Sequence, residues 1–144
     1  MSLYIDTSCF LKLLFQEPES SMVNRLTAGE SRVVVSALTR VEALVQITGR
    51  VAGRSITRRE GAFARRTMVA LLATTPFESA ESLALILRLA ERQVSSPAGR
   101  THCRFLDRLH LAAMEGLDLR RLLTNDDQQA RAAQALGFEV VMPR

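Results

Sequence analysis

Between Phe105 and Met114 the chain has the sequence Phe-Leu-Asp-Arg-Leu-His-Leu-Ala-Ala-Met. Apolar side chains recur there at spacings of three and four residues and also fill most other positions, which predicts a helix that is apolar nearly all the way round. Such a helix belongs inside a domain, yet Asp107 lies within it. A buried carboxylate is very costly unless it is ion-paired, hydrogen-bonded or bound to a metal. The stretch therefore predicts a buried helix whose aspartate has a specific partner.

Length and composition predict one globular domain over residues 1–144. The chain is 47% hydrophobic and 24% charged, enough for a real core. No apolar run approaches the ~18 residues of a membrane span, and Asp6 interrupts the N-terminal apolar stretch too early for a secretory signal. Cys9 and Cys103 have no paired spacing and predict two reduced thiols. We therefore expect a cytoplasmic protein without membrane association.

The basic residues are almost entirely arginine. The net charge is +4, and Lys12 is the only lysine among 19 basic residues. Arginine suits bidentate contact with phosphate, so nucleic acid is one candidate partner. Solvated surfaces and codon composition explain the same bias, and charge alone does not decide between these interpretations.

Strand and helix patterns alternate along the chain. Short apolar runs predict strands at residues 3–5, 33–35, 75–77, 122–124 and 138–142. Helical patterns fill the intervals between them, and Ser79, Glu81 and Ser82 are expected to open the fifth helix. The predicted inward-facing residues are Leu38, Val41, Val45 and Thr48 on the third helix, Phe63, Met68, Leu71 and Leu72 on the fourth, and Leu83, Ile86, Leu87 and Ala90 on the fifth. The alternation predicts an α/β domain with a central, mostly parallel sheet.

Four acidic residues stand where such a sheet binds its ligands. Asp6 and Asp126 each follow a short apolar strand, and Glu42 lies about two turns into the helix after residues 33–35. Ligands of open α/β sheets bind at the carboxyl ends of the strands. Together with Asp107 of the apolar helix, these carboxylates are therefore expected to meet at one end of the sheet.

A cluster of carboxylates repels itself and takes up protons unless a cation compensates it. Mg²⁺ and Mn²⁺ prefer carboxylate and water oxygens. A metal held there binds phosphate oxygens, lowers the pKa of a bound water and stabilises a leaving oxygen. The pattern therefore points to a phosphodiester hydrolase.

Each acid also has a simpler explanation. Asp6 and Asp126 are well placed as helix caps, and Glu42 suits the polar edge of an amphipathic helix. The aspartate of the apolar helix can form an ion pair with Arg104 or Arg108. The four acids together favour the metal site more than any one of them alone.

Four segments resemble the signature segments of PIN-domain proteins, in the family's order and over almost the whole chain. They are Tyr-Ile-Asp-Thr-Ser at residues 4–8, Ser-Ala-Leu-Thr-Arg-Val-Glu at 36–42, Leu-Asp-Arg-Leu-His-Leu-Ala at 106–112 and Leu-Thr-Asn-Asp at 123–126. The size and layout resemble the VapC-type toxins of toxin–antitoxin pairs. The resemblance implies a PIN-like three-layer α/β/α fold and an Mg²⁺- or Mn²⁺-dependent endoribonuclease. It also implies a homodimer that is held inactive by a cognate antitoxin.

The family's acidic site maps onto Asp6, Glu42, Asp107 and Asp126. We interpret Asp6, Asp107 and Asp126 as metal ligands, while Glu42 completes the site directly or through water, or orients the attacking water. Thr124 matches the hydroxyl residue often found beside the fourth acid. The sequence leaves open whether one metal or two bind.

Three further features accompany this site. Asp127 neighbours Asp126 and can substitute for it or assist it. His110, three residues after Asp107, is expected to orient an acid rather than to transfer protons. A group of arginines forms either a track for the RNA backbone, a solvated face or an antitoxin contact. Its members are Arg58, Arg59, Arg65 and Arg66.

Two other function classes remain open from the sequence. One is a non-catalytic module that keeps the fold and binds RNA or a protein partner, and the other is a processing nuclease that is not a toxin. A zinc site is not expected, since His102 and His110 are the only histidines. Nucleoside triphosphate chemistry is not expected either, since the chain has no glycine-rich phosphate loop.

Overall fold

The computed structural model describes residues 1–80 and 83–144. Their strands are β1 (Ser2–Ile5), β2 (Arg32–Ser36), β3 (Phe77–Ala80), β4 (Arg121–Leu123) and β5 (Glu139–Val141). Their helices are α1 (Thr7–Leu14), α2 (Ser20–Ala28), α3 (Ala37–Ala52), α4 (Arg58–Leu72), α5 (Leu83–Ser95), α6 (Phe105–Gly116) and α7 (Asp127–Ala135). The strands form one sheet in the order β3-β2-β1-β4-β5, and each of these neighbouring pairs is parallel.

Alternation along the strands produces two cores, one on each face of the sheet. Leu3 and Ile5 of β1 pack into a core that α1, α2, α3 and α4 cover. Tyr4, between them in sequence, points to the opposite face and packs with α5, α6 and α7. Val34 and Leu122 share the face of Tyr4, as period-two alternation requires. The predicted three-layer α/β/α fold with a parallel sheet is confirmed.

The predicted inward face of α3 is wrong. Val41 and Val45 are 61% and 63% exposed, whereas Thr39, Ala43 and Ile47 are fully buried. Ala43 and Ile47 belong to the core beside α1, α2 and α4, while Leu38 of the predicted face packs partly buried against the opposite core. Apolar residues two positions from the buried ones therefore do not reveal which side of α3 turns inward.

The predicted inward face of α4 is confirmed at Met68, Leu71 and Leu72, which lie in or against the core, and is wrong at Phe63. Phe63 is exposed, while Ala64 and Met68 are buried. A Cβ atom placed on Gly61 would lie 2.6 Å from Cγ2 of Val51 on α3, so the glycine permits the close contact between these two helices. The small residues Gly61 and Ala64 therefore set the rotation of α4.

The start of α5 also differs from the prediction. Ser79 lies in β3, paired with Val35, and the described helix begins at Leu83. The predicted contributions of Glu81 and Ser82 fall outside the described residues. Ile86, Leu89 and Ala90 face the core, whereas Leu83 and Leu87 are exposed.

Helix α6 is buried as predicted over most of its length. Its residues from Asp107 to Met114 are all buried, but Phe105 and Leu106 at its start are exposed. Both cysteines are free and buried. Within residues 1–80 and 83–144, none of the helices has the length and apolar character needed to cross a membrane.

We expect Ile47→Ala to lower the free energy of unfolding by about 2–4 kcal/mol, because it leaves a cavity beneath α3. Val45→Ala, two residues away on the exposed face, is the matched control and should change it by less than about 0.5 kcal/mol. Urea denaturation of the two variants measures both values. An equal loss of unfolding free energy in Val45→Ala would show that the exposed face of α3 is covered by a partner in solution.

Candidate active site

The carboxyl edge of the sheet brings β1 and β4 side by side. The backbone N–H of Asp6 donates to the carbonyl oxygen of Leu123 at 3.2 Å, so the residues that follow the two strands are adjacent. Those residues are Asp6 and Thr124, and the Thr124 hydroxyl lies 2.7 Å from Oδ2 of Asp6. The predicted meeting of the β1 and β4 segments is therefore present in the structure.

Asp6 is the N-cap of α1 and lies almost fully buried. Its Oδ1 accepts from the backbone N–H of Cys9 at 3.0 Å, and the Ser8 hydroxyl lies 2.9 and 3.0 Å from its two oxygens. Burial raises the pKa of Asp6, and the hydrogen bonds from Cys9, Thr124 and Ser8 offset only part of that effect. This carboxylate is therefore short of positive charge.

Glu42 of α3 is held by two neighbours. Its Oε1 lies 2.5 Å from Nε2 of His110 and accepts from the Thr7 hydroxyl at 2.9 Å. Burial opposes its charged form, but the hydrogen bonds from His110 and Thr7, with the positive charge of Arg104, outweigh burial and lower the pKa of Glu42. Glu42 is therefore fixed in place and ionised.

His110 connects Glu42 to the core of the sheet. The Tyr4 hydroxyl lies 2.6 Å from Nδ1 of His110, and both side chains are fully buried. Burial raises the pKa of Tyr4, so its hydroxyl keeps its proton and can donate to Nδ1. In that arrangement Nε2 carries the imidazole hydrogen and donates to Glu42. The role predicted for His110, which is to orient an acid, stays a prediction that this contact makes possible.

Asp107 and Asp126 are joined by a single guanidinium group. Nε and Nη2 of Arg104 lie 2.9 and 3.3 Å from the two oxygens of Asp107, and Nη2 lies 2.7 Å from Oδ2 of Asp126. Asp126 is the N-cap of α7, and its Oδ1 accepts from the backbone N–H groups of Gln128 and Gln129. One oxygen of Asp126 therefore caps the helix, while the other faces Asp107.

Thr124 links this pair to Asp6. Its hydroxyl oxygen accepts from the backbone N–H of Asp126 at 3.1 Å while lying 2.7 Å from Asp6. Thr124 is fully buried, so this position is fixed by packing. A continuous set of contacts thus runs from Asp6 through Thr124, Asp126 and Arg104 to Asp107.

Asp127 lies outside this set. Its side chain is 60% exposed and pairs with Arg144 at 2.7 Å. Its neighbour Asp126 instead points toward Arg104 and Asp107. The two adjacent aspartates of the α7 turn therefore face different surroundings.

The arginines predicted to contact RNA are all exposed on α4. They are Arg58, Arg59, Arg65 and Arg66. Arg59 and Arg66 line a groove beside Leu14 at the C-terminal end of α1, whereas Asp6 caps its N-terminal end. A helix of 8 residues is roughly 12 Å long. This basic surface therefore lies about one helix length from the acids.

Several partners of the acids were not predicted from the sequence. Tyr4, Thr7 and Ser8 stand in the first signature segment, but the sequence does not indicate which acids they contact. Arg104 was considered for Asp107 but not for Asp126. Strand alternation places Tyr4 on the α6 face of the sheet, which is the signal that could have linked it to His110.

The donor chemistry of the site fits a hard divalent cation. Asp6, Asp107 and Asp126 offer only carboxylate oxygens, and Asp6 is buried with incomplete charge compensation. As placed in residues 1–80 and 83–144, no three His, Cys, Asp or Glu side chains are close enough to hold an ion together. In this arrangement Asp107 and Asp126 are compensated by Arg104 instead.

Comparisons with known proteins identify the family of this chain. The PIN-domain family model matches residues 3–135. The chain is 32% identical over 146 residues to Ribonuclease VapC46 of Mycobacterium tuberculosis, covering 99% of this chain and 98% of that protein. The fold is similar to the Mycobacterium tuberculosis toxin VapC20, described as cleaving the sarcin–ricin loop, with a TM-score of 0.67 and 19% identity over 94% of this chain and 95% of that one.

A toxin–antitoxin complex from Klebsiella pneumoniae is similar in fold as well. Its TM-score is 0.66 at 19% identity, covering 100% of this chain and 98% of that one. At this level of identity the two solved structures establish the fold alone. The family-model match and the relative of near-identical length show that this chain belongs to the PIN-domain family.

Proposed function

We propose that this chain is a divalent-metal-dependent endoribonuclease and the toxin of a toxin–antitoxin pair. The observation that carries the proposal is the set of contacts that unites Asp6, Asp126 and Asp107 at the carboxyl edge of a PIN-family sheet. The relative Ribonuclease VapC46 is named for ribonuclease activity, which supports RNA as the substrate. Residues 1–144 act as one nuclease domain in this proposal.

Asp6, Asp107 and Asp126 would hold Mg²⁺ or Mn²⁺. When bound, the ion supplies electrostatic stabilisation to the phosphate and a water of lowered pKa. The raised pKa of Asp6 supports this assignment, because a cation beside a desolvated carboxylate favours its ionised form. Thr124 contacts both Asp6 and Asp126 and so holds the two residues next to each other.

Glu42 would orient the attacking water. Its carboxylate is fixed by Thr7 and His110 and is ionised, so it can accept a hydrogen bond from water and receive a proton. The Tyr4 contact holds the imidazole of His110 in one orientation. His110 is therefore a positioning residue in this mechanism.

The proposed partners are RNA, a cognate antitoxin and a second copy of this chain. The toxin–antitoxin complex of similar fold supports the antitoxin. Several helices expose apolar side chains, and such side chains are typical of surfaces that a protein partner covers. They include Val41, Val45, Phe63, Leu83 and Phe105. Arg58, Arg59, Arg65 and Arg66 would attract the RNA backbone, and a cytoplasmic location follows from the RNA substrate.

Asp107→Asn tests the proposal directly. We expect pure protein to cleave RNA with Mn²⁺ and to stop when EDTA is added. The Asp107→Asn and Asp126→Asn variants should each lose about 10²–10³-fold in rate, because an amide is a weaker ligand for a hard cation. Asp127→Asn is the matched control, since Asp127 is exposed and pairs with Arg144. The rates are measured on a labelled RNA pool.

The controls separate the competing assignments. Cleavage that persists in EDTA, or full activity of Asp107→Asn, would refute the metal mechanism. Loss of activity in Asp127→Asn but not in Asp126→Asn would move the fourth acid to Asp127. A protein that binds RNA but cleaves none under any metal would be the non-catalytic module.

We also expect His110→Leu to lower the cleavage rate by about 10–100-fold, because Glu42 loses a partner that orients it. The same change lets the pKa of Glu42 rise, so the acidic limb of the pH–rate profile should move to higher pH. Tyr4→Phe keeps the His110–Glu42 contact. It should therefore lower the cleavage rate less and leave the acidic limb of the pH–rate profile at the same pH. Thermal denaturation monitors folding of both variants. An unchanged acidic limb in His110→Leu would contradict the role of His110.

A further inference from the structure

Arg104 is the least expected member of the acidic site. It is the N-cap residue of α6, yet its side chain makes no capping hydrogen bond. Instead the guanidinium contacts both oxygens of Asp107 and one oxygen of Asp126. These contacts connect the start of α6 to the start of α7.

The two sides of this contact differ in burial. The Arg104 side chain is 66% exposed, while those of Asp107 and Asp126 are 8% and 24% exposed. The carboxylates are therefore fixed on their helices, and the guanidinium reaches them from solvent. Arg104 can leave without repacking the core, because its own side chain lies on the solvent side of the contact.

Arg104 and a divalent cation compete for the same oxygen atoms. The guanidinium compensates the charge of both aspartates through short, charge-assisted hydrogen bonds. A cation bound by the same carboxylates would compete with Arg104 for their oxygens and would repel the guanidinium. Binding of the cation and the contacts of Arg104 would therefore oppose each other.

We infer that Arg104 is a built-in counter-cation of the acidic site that exchanges partners during the reaction. It neutralises Asp107 and Asp126 until a divalent cation replaces it, and it then contacts the phosphate group of the RNA. The inference rests on the proposed function, which supplies both the cation and the phosphate.

The position of Arg104 in the fold supports the second half of this exchange. Its backbone carbonyl accepts from the N–H of Arg108, so its Cα stays fixed at the start of α6. A displaced guanidinium therefore remains within one side-chain length of the aspartates. Arginine is suited to phosphate there, because its planar group can make two parallel hydrogen bonds.

The test measures Mn²⁺ binding by calorimetry and RNA cleavage at saturating Mn²⁺ on the same proteins. Arg104→Gln should bind Mn²⁺ about two- to fivefold more tightly, because the competing ion pair is gone. Its cleavage rate at saturation should fall about a hundredfold, because a charged donor to the phosphate is lost. Arg104→Lys keeps the charge without the planar group and should fall between the wild type and Arg104→Gln in both measurements.

Arg144→Gln is the matched control. Asp127 follows Asp126 in the chain, and its side chain pairs with Arg144 at 2.7 Å, the same distance as between Arg104 and Asp126. Among the described residues, Asp127 thus pairs with Arg144, whereas Arg104 contacts Asp107 and Asp126. Arg144→Gln should leave Mn²⁺ affinity and cleavage unchanged. An equal gain of Mn²⁺ affinity in Arg144→Gln would show a general charge effect and overturn the inference.

The remaining outcomes are also decisive. Unchanged or weaker Mn²⁺ binding by Arg104→Gln overturns the exchange, and an unchanged rate at saturating Mn²⁺ overturns the phosphate contact. Either result, with an active wild type, leaves the proposed nuclease function intact. A wild type that cleaves no RNA instead refutes the proposed function, while the Mn²⁺ measurement still decides whether Arg104 competes for the aspartates.

Discussion

The hydrogen bond from Thr124 to Asp6 is the interaction on which the site depends. It joins the residue after β1 to the residue after β4 at 2.7 Å, in the interior of the protein. Parallel pairing of the two strands places these residues side by side, and the N–H of Asp6 reaches the carbonyl of Leu123. Because Thr124 also accepts from the N–H of Asp126, one hydroxyl group fixes two of the site's acids.

The site is built partly from structural elements that serve the fold. Asp6 and Asp126 are both helix N-caps, so the simpler explanation of each is correct and does not exclude the functional one. In each carboxylate one oxygen accepts from the helix backbone, while the other contacts Thr124 or Arg104. Burial raises the pKa of Asp6, so the folded chain disfavours its ionised form more than water does.

Glu42 is not a helix cap and is held instead by side chains from other elements. Its partners come from α1 and α6, and the Tyr4 hydroxyl behind His110 comes from the central strand. The orientation of Glu42 is thus set by groups from both faces of the sheet. Arg104, by contrast, has a largely exposed side chain and approaches its aspartates from the solvent side.

The order of strands and helices, the parallel sheet and the acids that follow β1 and β4 could be predicted from the sequence. These features depend on local periodicity and on the polarity of residues close in sequence. The rotation of α3 and the exposure of Phe63 on α4 could not, because Ala43, Gly61 and Ala64 pack closely only against specific neighbours. Nor did the sequence determine that Arg104 bridges Asp107 to Asp126, or that Tyr4 reaches His110. Those contacts join residues far apart in the chain, and only the tertiary packing of α6 against the sheet and α7 decides them.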